Sequence, residues 1–448
     1  MKVKPILAIA ASLAYVVFHV LVDWHYRPNA DDFAGMHYAS RGLPGLGYAM
    51  RFYMEWEGPF LSMIVQGLWM RALYIGIPGG VIISFIKTLL LFSSVYMYGG
   101  VIQFLSGKRD PWLALLAGSV TVITLYSITS SVDEIWHWVM GTVVYVHPLI
   151  FLQIAIGLLF RKKFVWAILP LAYLMQSRAT YAILLYALIT SVTIYAWAVK
   201  ADWRKALTVS NVVLLGFFLI YLFAPGNAKR VSVTAFEWSH YVHEYRREIL
   251  NIFLSFNLAK TDRLLLGLLA FVPLLPYIDL KQFPKGKWWI LIPGAAYLLF
   301  VLAHGMLFVY ATGYAAWNRV FSMHSFLFFM AGLFYFYLLQ QWAHGKWNLE
   351  RYGSVAAGFA TLILIFNLYE PLNDQLQLGK EFSEAYDTRH EQILSYNGSS
   401  EDTLFVQALP QPGVLHFWDF TEDAGGWISD DFRMRYEIPY HVALRPEE

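Results

Sequence analysis

Long apolar runs constrain this chain more than any single residue does. A helix needs about 20 apolar residues to cross the hydrocarbon core of a bilayer, and the chain offers about eleven such runs. They fall at roughly 5–22, 79–104, 111–130, 141–160, 164–177, 180–199, 206–224, 263–280, 288–309, 320–341 and 352–369. The expected fold is therefore an all-α polytopic membrane protein with about 11 transmembrane helices. Charge content agrees: 58% of residues are hydrophobic and 14% charged, where soluble domains carry about a quarter. A net charge of +2 gives no reason to expect a nucleic-acid partner. The chain has no cysteine, which excludes disulfides and thiolate metal sites.

Orientation follows from the short loops. "MKVK" before the first run resembles a signal peptide, but the small-residue stretch "AIAASLA" sits mid-run, so an uncleaved first span is expected. Lys2 and Lys4, Lys108 and Arg109, Arg161 to Lys163, Lys200, Arg204 and Lys205, Lys281, Lys285 and Lys287, and Lys346 and Arg351 fall in every second loop. Short basic loops mark the cytoplasmic side. The N-terminus is then inside and the C-terminus outside.

The other face holds the sequence that differs from membrane filler. A transmembrane domain over 1–369 carries a long outer loop at 23–78, and 370–448 form a polar tail. In the tail "TLFVQAL", "GVLHFW" and "YEIPYHVAL" are separated by Pro and Gly, which predicts a small extracytoplasmic α+β or β-rich domain. "EWSHYVHEYRREI" reads as an amphipathic helix lying on the membrane.

Asp31 and Asp32 lead the residues capable of chemistry. Adjacent carboxylates repel, and partial burial raises a carboxylate pKa, which suits a general base or a ligand for a hard cation. As plain loop acids, one of them would cap the helix that "FAGMHYAS" starts. Glu57 lies later in the same loop, flanked by aromatics. In "SSVDEIWHWVMG" a helix would put Asp133 and Glu134 on one face with His137, either as metal ligands or as acids steadying a histidine. Arg178, Arg230 and Arg319 map to the outer ends of spans, where a guanidinium can fork onto phosphate oxygens or snorkel to the interface. Asn227 and Asn318 precede two of them and would orient a substrate or the Arg itself. Lys87, inside the second run, would snorkel outward or touch a phosphate.

The motifs "ADDF", "FYMEWEGPFLS", "SSVDEIWHWVMGTVVYVHP", "FAPGNAKR" and "WNR" together resemble the GT-C superfamily of multispan glycosyltransferases. They are most similar to its bacterial glucosyltransferase-II-like branch, linked to surface polysaccharide decoration. The chain departs from that branch at Pro59, where an Arg would follow Trp56-Glu57-Gly58. The resemblance implies a GT-C-like fold in a bacterial cytoplasmic (inner) membrane and an extracytoplasmic reaction. An acid after span one, here Asp31 or Asp32, would act as base. The donor would be a polyprenyl-phosphate sugar and the acceptor a cell-envelope glycan or lipid-linked acceptor. Arg178, Arg230 and Arg319 would bind the donor phosphate, with Glu57, Asp133, Glu134, His137, Asn227 and Asn318 at the substrate. A divalent ion such as Mg2+ or Mn2+ is left open. Alternatives are a transporter or flippase of lipid-linked sugars, a polysaccharide ligase or polymerase, or a scaffold that has lost catalysis.

Overall fold

The computed structural model describes residues 3–233, 238–252, 254, 260–272, 291–312, 322–344, 349–399 and 402–446. It is mostly helical. Among the described residues, seven helical segments are long and apolar enough to cross a membrane: Lys4–Asp23, Gly79–Ser106, Pro111–Ile128, Val139–Phe160, Tyr181–Ala198, Arg204–Leu222 and the apolar start of Val355–Ser395. Shorter apolar helices occur at Phe164–Met175, Gly294–Met306 and Met323–Leu339. The chain is a multi-pass integral membrane protein. The expected run at 164–177 forms a helix of 12 residues, about 18 Å long and too short to span the core alone. The run at 263–280 is described only to 272.

Helix α1 (Val3–Asp23) shows how the bundle is built. Ala8, Ala11, Tyr15, Phe18 and Val22 are buried, while Ile6, Leu13, Val17 and Val20 are exposed. An apolar face left exposed at helical spacing suits lipid rather than water. Its buried face meets α6 (Pro111–Ile128), where Ser12 Oγ lies 2.7 Å from Ser119 Oγ. Small residues allow helices in lipid to approach this closely. The central helix α5 (Gly79–Ser106) packs between α1, α6 and α9 (His147–Phe160).

The loop expected at 23–78 is itself helical. It folds as α2 (Asp31–Ser40), α3 (Leu46–Glu55) and α4 (Phe60–Tyr74). After α6 come the short α7 (Val132–Trp136), α8 (Val139–Gly141) and a π-turn at Thr142–Val146 that leads into α9. Then follow α10 (Phe164–Met175), α11 (Ala179–Ala198), α12 (Arg204–Leu222), α13 (Pro225–Val233) and α14 (Trp238–Leu250), which is the expected amphipathic helix. The remaining bundle helices are α15 (Thr261–Ala270), α16 (Ile292–Thr312), α17 (Ser322–His344) and α18 (Leu349–Tyr369).

The tail is more helical than its Pro- and Gly-broken sequence suggested. It begins with α19 (Leu372–Ser395) and carries α20 (Trp427–Tyr436). Strands β1 (Thr403–Val406) and β2 (His441–Leu444) pair in parallel, with Thr403 opposite His441. "GVLHFW" forms no strand; it opens with a turn at Gly413–Val414 and then passes His137 and Asn29, which hydrogen-bond His416 and Trp418. Arg27 holds α19 to the chain after α1 through two bonds of 2.6 Å to Asp387. Arg435 lies 4.3 Å over the Tyr74 ring, and Phe33 packs edge-on against Phe432. The tail thus closes over α2 and α4 and forms the capped end of the bundle.

Candidate functional site

The aspartate pair is split by the start of α2. Helical side chains one residue apart diverge by about 100°, and here one points in and one out. Asp32 is fully buried. Its carboxylate accepts from the Tyr26 hydroxyl, from the Asn29 N–H at 3.2 Å and from the Met140 N–H at 3.3 Å. Burial pushes the Asp32 carboxyl up to about 7, against these hydrogen bonds and with help from Asp31. Asp31 is half-buried. Across from it, burial and then Asp31 and Asp430 push Asp431 of α20 up to about 7. Tyr48 of α3 is buried beside both acids. Its phenol stands well above its usual range because of burial and then Asp31, Glu57 and Asp32, and its hydroxyl has no hydrogen-bond partner among the described residues.

Glu57, Arg178 and Asn227 come together from three separate segments, two loops and the first turn of α13. Arg178 Nη1 lies 3.5 Å from Glu57 Oε1, and the two side chains are 28% and 10% exposed. The guanidinium also lies 5.5 Å from the Tyr145 ring centre. Asn227 accepts from the Gly58 N–H at 2.9 Å and donates to the Tyr221 carbonyl at 2.7 Å. Its role is to tie loop to helix. This contact needs two glycines. A Cβ on Gly58 would stand 2.3 Å from the Tyr221 oxygen, and one on Gly226 would stand 2.7 Å from the Glu57 nitrogen. "EWEGPF" and "APGNAKR", nearly 170 positions apart, are therefore one joint. Pro59 ends the first strand of that joint as the residue before α4.

His137 does not share a helical face with Asp133 and Glu134. Helix α7 stops at Trp136, and His137 takes φ −124° and ψ 25°, which turns its ring into the bundle. There Nδ1 donates to Asp23 Oδ1 at 2.7 Å, and Nε2 accepts from the Tyr126 hydroxyl at 3.1 Å. Burial and then the Lys87 charge hold this imidazole well below its usual range, so it is neutral. Lys87 does not snorkel. It is wholly buried and donates to both Asp23 oxygens and to His19 Nδ1, each at 2.9 Å. Ser84 adds a bond to Asp23 at 3.1 Å.

Among the described residues, His19, Asp23 and His137 are the group whose ligand atoms lie close enough for a metal, within 4.8 Å of one another. The Lys87 ammonium already fills the space between them, 3.2 Å from His137 Nδ1. Two imidazoles and one carboxylate suit Mg2+ poorly, since it takes oxygen ligands, and the Lys87 ammonium stands where any divalent cation would have to sit.

Asp133 faces the tail instead. It lies 3.4 Å from His416 Nδ1. Burial alone would raise its carboxyl, but the hydrogen bond and charge of His416 bring it below the usual range. The His416 N–H donates to the His137 carbonyl at 3.3 Å, and Asn29 donates to the His416 carbonyl at 3.1 Å. Glu134 accepts from Ser131 Oγ at 2.6 Å, a local bond within its own turn.

Of the three arginines, only Arg178 is placed by its side chain. Arg230 lies on α13 with its side chain outside the described residues, as are Asn318 and Arg319 entirely. Sequence reasoning missed Asp23, Tyr48, Asn29 and His416. The signal for Asp23 was there: His19 and Asp23 stand four apart at the end of an apolar run, and Lys87 is the one cation inside the next. No protein-family model, curated protein or solved structure matches the chain.

Proposed function

We propose that this chain is an integral membrane glycosyltransferase of GT-C type. It would move a sugar from a polyprenyl-phosphate donor to a cell-envelope glycan or lipid-linked acceptor. The observation that carries this reading is the Glu57–Arg178 pair, 3.5 Å apart, in which Glu57 is buried and Arg178 keeps 28% of its side chain exposed. A partly exposed guanidinium beside an acid, with the half-buried Asp31 acting on the same Tyr48 that Glu57 does, would supply both charges that transfer from a phosphate requires. The full reading keeps about eleven spans, a cytoplasmic N-terminus, and an active face and tail on the extracytoplasmic side of a bacterial inner membrane.

Asp31 is the base in this scheme. Asp32 already accepts three hydrogen bonds in a closed setting, whereas Asp31 retains exposure. Asp31 takes the proton of the acceptor hydroxyl as that oxygen bonds to the anomeric carbon. The bond from that carbon to the phosphate oxygen breaks, and polyprenyl phosphate leaves as a monoester with one more negative charge. Arg178 stabilises that added charge more than it stabilises the bound donor, which is what accelerates the step. Backside attack inverts the anomeric carbon.

The experiment is a transfer assay in proteoliposomes with labelled polyprenyl-phosphate sugars. Asp31→Asn should lower turnover about 10²–10⁴-fold, as loss of a general base does. Asp32→Asn should change stability more than turnover. Turnover that survives Asp31→Asn removes that residue from the chemistry. A second reading, a transporter or flippase of lipid-linked sugars, rests on the buried Asp23–Lys87–His137 group, since ionisable residues inside a bundle often line a transport path. Lipid-linked sugar crossing the bilayer without release of polyprenyl phosphate would favour it.

A further inference from the structure

Where α1 ends and α19 begins, a groove of about 600 Å3 opens on the bundle surface. Val20, Leu21 and Trp24 line it from the α1 side, and Leu376 and Lys380 line it from α19. The groove continues an exposed apolar stripe. Ile6, Ile9, Leu13, Val17, Val20 and Leu21 are all exposed along α1, and Trp24 ends the row at 68% exposure. A tryptophan at the end of a lipid-facing stripe marks the headgroup level.

The polar groups above the groove have a fixed order. Helix α19 rises alongside the chain that leaves α1: His25 Nδ1 lies 3.2 Å from Ser383 Oγ, Tyr386 donates to the Pro28 carbonyl at 2.9 Å, and Asp387 pairs with Arg27. Lys380 is therefore nearer the apolar floor than Glu384, which stands one helical turn further out. Their charged atoms are 3.9 Å apart, and both side chains are about two-thirds exposed, at 67% and 69%. The neighbouring Glu381 is engaged by Gln377 at 2.9 Å. Going outward, the surface presents an apolar channel, then a cation, then an anion.

We propose that this groove binds the headgroup end of a phosphatidylethanolamine molecule. One acyl chain follows the α1 stripe, the phosphate meets Lys380, and the primary ammonium meets Glu384. That headgroup carries its charges in the same order, anion near the chains and cation beyond. Phosphatidylcholine has the charges but no N–H to give Glu384. Phosphatidylglycerol has the phosphate and no cation. The site is separate from the Glu57–Arg178 joint and stands whichever function the chain performs.

The test is native mass spectrometry of the full chain released from nanodiscs with the three lipids in equal amounts. Retained phosphatidylethanolamine should exceed phosphatidylcholine about threefold, the discrimination expected of an exposed ion pair. Exchanging the pair, Lys380→Glu with Glu384→Lys, reverses the charge order and should abolish that preference without moving the melting temperature. Trp24→Ala should lower retention of all three lipids while keeping their ratio. Equal retention of the three lipids, a preference for phosphatidylglycerol, or a preference that survives the exchange would each overturn the proposal. Because the chain has no cysteine, a spin label at Gln377→Cys reads the same site in vesicles. It should immobilise on adding phosphatidylethanolamine to phosphatidylcholine vesicles, and an unchanged spectrum counts against the site.

Discussion

Two groups of charged side chains, Asp23–Lys87–His137 and Glu57–Arg178, are built in opposite ways. In the Asp23–Lys87–His137 group the lysine and aspartate side chains are 1% and 0% exposed, and the ammonium and carboxylate oxygens are held at 2.9 Å or less by several partners. In the Glu57–Arg178 pair the distance is 3.5 Å and the arginine remains 28% exposed. The first group uses nearly all of its hydrogen-bonding capacity on itself. The second leaves its guanidinium partly open to water. Charges that are removed from water must be fully paired to be tolerated, so the first is a structural anchor. In the second, Glu57 is buried but Arg178 keeps access to water, and a partly exposed charge gains less from its partner and can exchange it for a ligand.

Four changes would break or sharpen this contrast. The largest effect should come from Lys87→Met, which leaves the Asp23 carboxylate buried without its cation. A loss of about 3–5 kcal/mol is expected in detergent unfolding, with much of it restored by adding Asp23→Leu. Recovery absent in the double variant would mean that Lys87 contributes through packing rather than charge.

Next comes Asp32, an acid as buried as Asp23 but met by neutral donors. Its carboxyl is raised from its ordinary value to about 7 in the fold, so the folded state binds the proton more tightly than the unfolded chain. The corresponding stability is complete below about pH 4 and is lost as pH rises through about 7, with a slope of up to about 1.4 kcal/mol per pH unit. Asp32→Asn should flatten that part of the stability profile; a slope that persists assigns it to another group.

Gly58→Ala acts on the joint that carries the second group. With a methyl group 2.3 Å from the Tyr221 oxygen, a loss of about 1–3 kcal/mol is expected, along with a weakened Glu57–Arg178 contact. Unchanged unfolding would mean that the joint yields. Smallest is Glu57→Gln, at about 0–1 kcal/mol in stability given the exposure of Arg178. If Arg178 serves a ligand, this substitution should change donor binding far more than unfolding, and equal small effects on both would make the pair a surface ornament.

The membrane class and the helices themselves were legible because hydrophobic run length and hydrogen-bond demand act locally. So were the joining motifs, since "EWEGPF" and "APGNAKR" stood out before their contact was known. The choice between Asp31 and Asp32 was not legible, because which of two neighbours faces inward depends on where Tyr26 and Met140 sit. His137 was misread for a local reason: the helix through Asp133 ends one residue too soon. Asp23 and Lys87 are 64 positions apart, and only packing of α1 on α5 makes them a pair. In the tail, "TLFVQAL" and "YEIPYHVAL" did yield β1 and β2, while "GVLHFW" spends its backbone bonds on Asn29 and His137 instead of a ladder.

The π-turn at Thr142–Val146 has a consequence for how this chain can vary. A wide turn holds one residue more than an α-helical turn would, and each residue advances a helix by about 100°. The Met140 N–H that meets Asp32, and the His137 ring that meets Asp23, both lie just before it. Deleting one of those five residues would close the wide turn into an ordinary α-helical one and leave the flanking segments nearly in phase, whereas adding a residue has no such slack and would rotate Met140 and His137 away from their acids. Length change in this segment should therefore run toward loss of a residue rather than gain.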